Sequence, residues 1–101
     1  MILDQLKSKV VEYYKSKDTL RLSVLRFYLS KVNEKEIELR PSNQKVDDDI
    51  AYNVLKKRIK ETNKSIELYK KGNRQDLVDQ ETQELNILNE FAKMFPQHTQ
   101  Q

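Results

Sequence analysis

Residues 50–95 read IAYNVLKKRIKETNKSIELYKKGNRQDLVDQETQELNILNEFAKMF, and this stretch decides the fold. In its first half, Tyr52, Leu55, Ile59, Thr62, Ile66 and Tyr69 step by three and four residues. That interval places side chains on one face of an α-helix. In its second half, Val78, Glu81, Leu85, Leu88, Ala92 and Phe95 repeat the step, broadened by Ile87 and Phe91. Between the two lies Lys71-Gly72-Asn73. Lysines suit the negative end of a helix, and Gly72 or Asn73 can take the left-handed conformation that closes one. Helices joined by so short a link lie antiparallel. The result is a long hairpin, each arm about 35 Å at 1.5 Å per residue.

A lone hairpin would leave both apolar seams wet, so something must cover it. Upstream, Leu3, Leu6, Val10 and Tyr13 form one further stripe, widened by Ile2 and Tyr14. Leu22, Leu25, Leu29 and Val32 form another, helped by Tyr28. Lys17-Asp18 separates these two, and Asp18 or Thr19 can accept bonds from the orphan amides of the next turn. Pro41 disfavours a helical Arg40 and opens a loop through Gln44. Asp47 is a good N-cap, with Asp48 and Asp49 in the first turn beside the positive helix end. Pro96 ends the last helix. The spacing predicts four helices over 2–16, 19–38, 47–71 and 74–95. The expected fold is all-α, a four-helix bundle with a long antiparallel hairpin of helices 3 and 4. One helical domain covers 1–96, and the polar residues 97–101 are expected to fray.

Composition removes many activities. The 101 residues include one glycine, two prolines, no cysteine and no tryptophan. So few glycines disfavour sandwiches, barrels and dinucleotide folds. Without cysteine there is no disulfide, thiolate metal site or thiol nucleophile. The single histidine, His98, excludes His-rich metal sites and most triads. No apolar run approaches the ~20 residues that span a bilayer, and no signal-peptide pattern follows Met1. These features predict a cytoplasmic protein with no metal, no cofactor and no membrane contact. Asp47-Asp48-Asp49 lacks the ligand spacing and glycine of a cation loop, so it reads as caps. Ser23, Ser30 and Ser65 sit inside helices without a base beside them, and no catalytic residue is assigned.

Two features stand out against that plain background. Glu81 occupies a seam position, where an antiparallel register brings it near Thr62 and Lys64; a paired, half-buried carboxylate is expected there. Glu84 follows three residues on. The second feature is an arc of lysines. Lys56, Lys57, Lys60, Lys64 and Lys71 fall within about 100° of one another at 100° per residue, away from the seam. Only Glu67 interrupts them. Residues 1–72 carry 17 Lys and Arg against 11 Asp and Glu, whereas 73–101 carry two against five. A basic flank opposed to an acidic last helix suits phosphate contact on one side.

Several stretches together resemble a known family. They are Asp18-Thr19-Leu20-Arg21-Leu22-Ser23-Val24-Leu25-Arg26, then Asn33 to Glu38, Val54 to Lys60, the Ser65–Asp79 junction, and Glu81 through Phe95-Pro96-Gln97. In that order they resemble the YqeY family, related to the B subunit (GatB) of the glutamine-dependent tRNA amidotransferase. Where that family usually has Ala-Gly-Arg, this chain has Gly72-Asn73-Arg74. The resemblance implies a label of carbon–nitrogen ligase with glutamine as amido-N donor. It supplies no chemistry, because glutamine hydrolysis and carboxyl activation belong to other parts of that enzyme. It also implies a second helical bundle beyond Pro96-Gln97, the part tied most closely to tRNA; this sequence stops at Gln101.

Two readings follow. In the first, the chain is a non-catalytic accessory that touches tRNA phosphates through Lys56, Lys57, Lys60 and Lys64, with Arg21 and Arg26 beside them. In the second, it is a scaffold that docks on an amidotransferase or aminoacyl-tRNA synthetase through an apolar patch around Phe91 and Phe95.

Overall fold

The computed structural model describes residues 1–100; Gln101 lies outside the described residues. Four helices follow in order: α1 (Ile2–Lys15), α2 (Thr19–Leu39), α3 (Asp48–Lys71) and α4 (Gln75–Lys93). Two short 3-10 turns, Arg40–Ser42 and Pro96–Gln100, follow α2 and α4. Each helix lies within two residues of its expected span. The segment expected to fray from Gln97 turns instead as 3-10 helix, and the Gln97 amide donates to Asp49 Oδ1 at 2.6 Å.

The helix ends follow from local chemistry. Asp18 and Asp47 cap α2 and α3, accepting from the amides of Arg21 at 3.2 Å and Ile50 at 2.9 Å. Three chain reversals share one closing device. Lys17, Asn43 and Asn73 all have positive φ, between 55° and 60°. In each, the next amide reaches back five residues: Asp18 to the Tyr13 carbonyl, Gln44 to Leu39, and Arg74 to Tyr69. These are Schellman closures. At the hairpin turn the left-handed residue is Asn73, while Gly72 keeps a φ of −85°.

The three consecutive aspartates each hold something different. Asp47 caps its own helix. Asp48 accepts from the amides of Ile2 at 2.9 Å and Leu3 at 3.2 Å, so a side chain from α3 caps α1. Asp49 holds Gln97. The sequence pointed to capping; the structure adds that two of the three act on distant segments.

The core joins all four helices. Leu3 and Leu6 of α1, Leu25, Tyr28 and Val32 of α2, Ala51 and Leu55 of α3, and Leu88 and Phe91 of α4 are buried together. The Tyr28 hydroxyl donates to the Ala51 carbonyl at 2.7 Å. Burial, with the Asp48 charge adding to it, pushes that phenol well above its ordinary pKa. Towards the hairpin turn this cluster takes α3 no further than Leu55, with Ile59 at its edge, and α4 no nearer than Ile87. Beyond that, the seam narrows to buried Thr62, Ile66 and Val78. The molecule is accordingly elongated, 46 × 31 × 27 Å.

Candidate nucleic-acid interface

The flank of α3 that faces away from α2 carries the lysines. Lys56, Lys60 and Lys64 succeed one another at four-residue intervals and line one side of a groove of about 760 Å³. Tyr52, Ile59, Asn63, Glu67 and Leu68 of the same helix, Asn89 and Ala92 of α4, and His98 make up the rest of its surface. Lys57 faces elsewhere, into a second groove between α2 and α3 beside Lys31, Asn53 and Glu61. The four lysines are exposed.

Ion pairs occupy only part of the basic surface, and Lys9, Lys15, Lys17, Arg26, Arg40, Lys45, Lys71 and Lys93 are without one among the described residues. Lys7 meets Glu36, Lys31 meets Glu34, Lys35 meets Glu38, Arg58 meets Glu61, and Arg74 meets Asp76. Among the described residues, Lys56, Lys57, Lys60 and Lys64 make no ion pair. The one acid within their arc, Glu67, turns towards Lys70 at 3.7 Å. Lys56 lies over the Tyr52 ring, 5.3 Å from its centre, and keeps its charge at the groove wall. Lys60 and Lys64 stand one helical turn apart and repel. The ridge is therefore positive potential left unneutralised, the condition for attracting a polyanion.

The two arginines differ. Arg26 is exposed and makes no ion pair among the described residues. Arg21 is held by two carboxylates: Nε and Nη2 donate to Glu90 at 2.9 and 2.7 Å, and Nη1 to Asp18 at 3.0 Å. Its fork ties the start of α2 to the end of α4. The guanidinium in turn holds the Glu90 carboxyl below its ordinary range; the Arg21 amide, then its side chain, does so for Asp18.

Two expectations need correction. Glu81 does not pair with Lys64. Lys64 lies on the groove flank, whereas Glu81 and Glu84 face one another on the opposite side, near Arg58. Burial, then the Glu81 charge and a hydrogen bond with it, raise Glu84 above the usual carboxylate range, against the pull of Arg58. Register alone placed Glu81 beside Lys64, but the rotation of α3 turns that lysine away. The Thr62 hydroxyl, fully buried, bonds its own helix at the Arg58 carbonyl, 2.9 Å away. The second correction concerns the apolar patch. Phe91 and Phe95 are each 1% exposed, packed in the core and against Tyr52, whose ring centre lies 5.3 Å from that of Phe95.

Asn63 and Asn89 were not singled out from sequence, and His98 only as the lone histidine. Asn63 could have been, since at 100° per residue it falls about 20° beyond Lys56 at the edge of the arc; Asn89 and His98 join it only once the hairpin is packed. Among the described residues no group of three or more His, Asp or Glu side chains could hold a metal ion. None of the described helices is long and apolar enough to cross a membrane.

A family model described as Yqey-like protein matches residues 3–100. Among curated proteins, the chain is similar to altered inheritance of mitochondria protein 41, mitochondrial, of Kluyveromyces lactis, 32% identical over 91 residues. That match covers 90% of this chain and 48% of the relative. The protein of the same name in Vanderwaltozyma polyspora is 31% identical with the same coverage. In Candida glabrata it is 24% identical, covering 94% of this chain and 52% of the relative. The chain thus spans about half the length of the curated relatives it matches. All are named as mitochondrial proteins, which corrects the cytoplasmic expectation drawn from the lack of a signal peptide and a membrane span.

Proposed function

Because this chain belongs to the YqeY-like family, we propose that it is a non-catalytic helical module that contacts tRNA in an amidotransferase-related process. Its proposed setting is mitochondrial, as the names of its relatives suggest. The observation that carries the reading is the ridge itself: Lys56, Lys60 and Lys64 stand in single file along one groove without an ion pair among the described residues, and the one acid of their arc, Glu67, is drawn to Lys70. Lys57 and Arg26 would add positive charge at its margins. Arg21 is left out of the contact set, since Asp18 and Glu90 already neutralise its charge. The carbon–nitrogen ligase label then describes the assembly the module serves. The reaction itself is assigned to no residue here.

Phosphate contacts of this kind position an RNA without reading it, and they weaken with salt. Three lysine contacts predict a slope of about −2 to −3 in log affinity against log salt. Labelled tRNA titrated with the chain, followed by anisotropy, should show that slope. Reversing Lys56, Lys60 and Lys64 to Glu should abolish binding while the helical circular dichroism stays unchanged. A folded triple variant that binds as well as the parent would refute the ridge.

A further inference from the structure

We infer that the groove beside the lysine ridge accepts an unpaired RNA strand, its phosphates on Lys56, Lys60 and Lys64 and its bases in the groove. This rests on the phosphate reading of the same lysines and adds what kind of RNA they meet. Lysines four residues apart rise about 6 Å from one to the next along α3. They form a single file and suit successive phosphates of one strand. A duplex could use the ridge alone, leaving the groove behind it empty.

The groove has the chemistry of a base rather than of a protein helix. Ile59, Ala92 and the exposed Leu68 give it an apolar surface, Asn63, Asn89 and His98 bring two amides and an imidazole to the same space, and Glu67, the one acid on its wall, is drawn to Lys70. A nucleobase has an apolar face and hydrogen-bonding edges; amides offer a donor and an acceptor together, and histidine can stack on a base. An amphipathic helix would instead bury those amides against its apolar stripe, at a cost if they stay unpaired. Neither asparagine side chain has a hydrogen-bond partner among the described residues. Tyr52 is not the platform: its ring is 3% exposed, held between Lys56 and Phe95, with its hydroxyl 3.4 Å from His98 Nδ1. Without an exposed aromatic the base contacts are modest, so the strand preference should be about tenfold.

The test uses one labelled RNA of 12 nucleotides, single-stranded or annealed to its complement, titrated with the chain at low and physiological salt. The single strand should bind about tenfold more tightly than the duplex. Replacing Asn63→Leu and Asn89→Leu together should bring it down to the duplex affinity and leave duplex binding unchanged. Asn63→Leu alone, at an exposed position, should show part of that loss even if the double variant fails to fold. Equal binding of strand and duplex by the parent chain overturns the groove and leaves the ridge standing. Polyglutamate that displaces the strand as readily as unlabelled RNA does the same, since any polyanion would then serve. If neither RNA binds at low salt, the groove and the ridge reading fail together.

Discussion

The two ends of the hairpin are built on different terms. At its base, α1 and α2 cover it, and polar groups are tied across helices: Asp48 takes the amides that open α1, and Arg21 joins Asp18 to Glu90. Towards the turn, Thr62, Ile66 and Val78 form a seam outside the main core. There Glu81 and Glu84 confront each other across a half-buried site. The base holds the shape of the molecule. The arm is held by one seam and tolerates unmatched charge, and the lysine ridge runs from the first into the second. The sharpest way to break this contrast is truncation of one core residue at each end. Phe91→Ala at the base should cost about 3–5 kcal/mol, and Ile66→Ala in the arm should stay near the low end of about 2–5 kcal/mol for Ile→Ala. Urea midpoints measure both. An arm variant as costly as the base variant would show one cooperative core in place of two unequal ones.

That contrast also marks how far the sequence could be read. The helices were legible because their stripes are periodic and their ends carry their own chemistry, as Asp18, Asp47 and Asn73 do. The lysine ridge was legible for the same reason, being a property of one helix. What failed depended on how helices rotate against each other. Lys64 lies four residues from Lys60 and shares its flank, so it could not also meet Glu81. Phe91 and Phe95 read as the exposed end of a stripe until the packing put both inside. Asp48 capping α1 was out of reach, because nothing near residue 48 in the chain says which helix will start beside it.

Acid should move the two regions in opposite directions, a smaller effect than core truncation. At the base, Asp18 and Glu90 ionise more readily folded than unfolded. Their contribution is present above the ordinary carboxylate range and is lost as pH falls through their lowered values. In the arm Glu84 is raised from 4.5, so its folded form holds a proton the unfolded chain gives up. Its penalty is full above the raised value and gone below about 4.5, which means acidification relieves the arm. Glu84→Gln should therefore stabilise the protein at neutral pH and make no difference well below that point. Glu90→Gln should destabilise it at neutral pH. Thermal melts across pH give both curves. A Glu84→Gln gain that persists into acid would mean the carboxylate pair is not the cause.

The smallest effect concerns the reversals that close α1 and α3. Both use the same backbone closure, yet one places a lysine in the left-handed conformation and the other an asparagine, at φ of 60° and 58°. An ordinary L-residue loses roughly 1–2 kcal/mol there, and asparagine less, because its short side chain bonds locally. Lys17→Gly should then stabilise the protein by about 1 kcal/mol, reduced by the extra freedom glycine gives the unfolded chain. Asn73→Gly should gain only a few tenths of that, even though it restores the glycine this family usually has before the arginine. Urea midpoints of the two variants compare them directly. A larger gain at residue 73 would mean that the arm, with its single seam, draws more of its stability from its turn than the base draws from the link between α1 and α2.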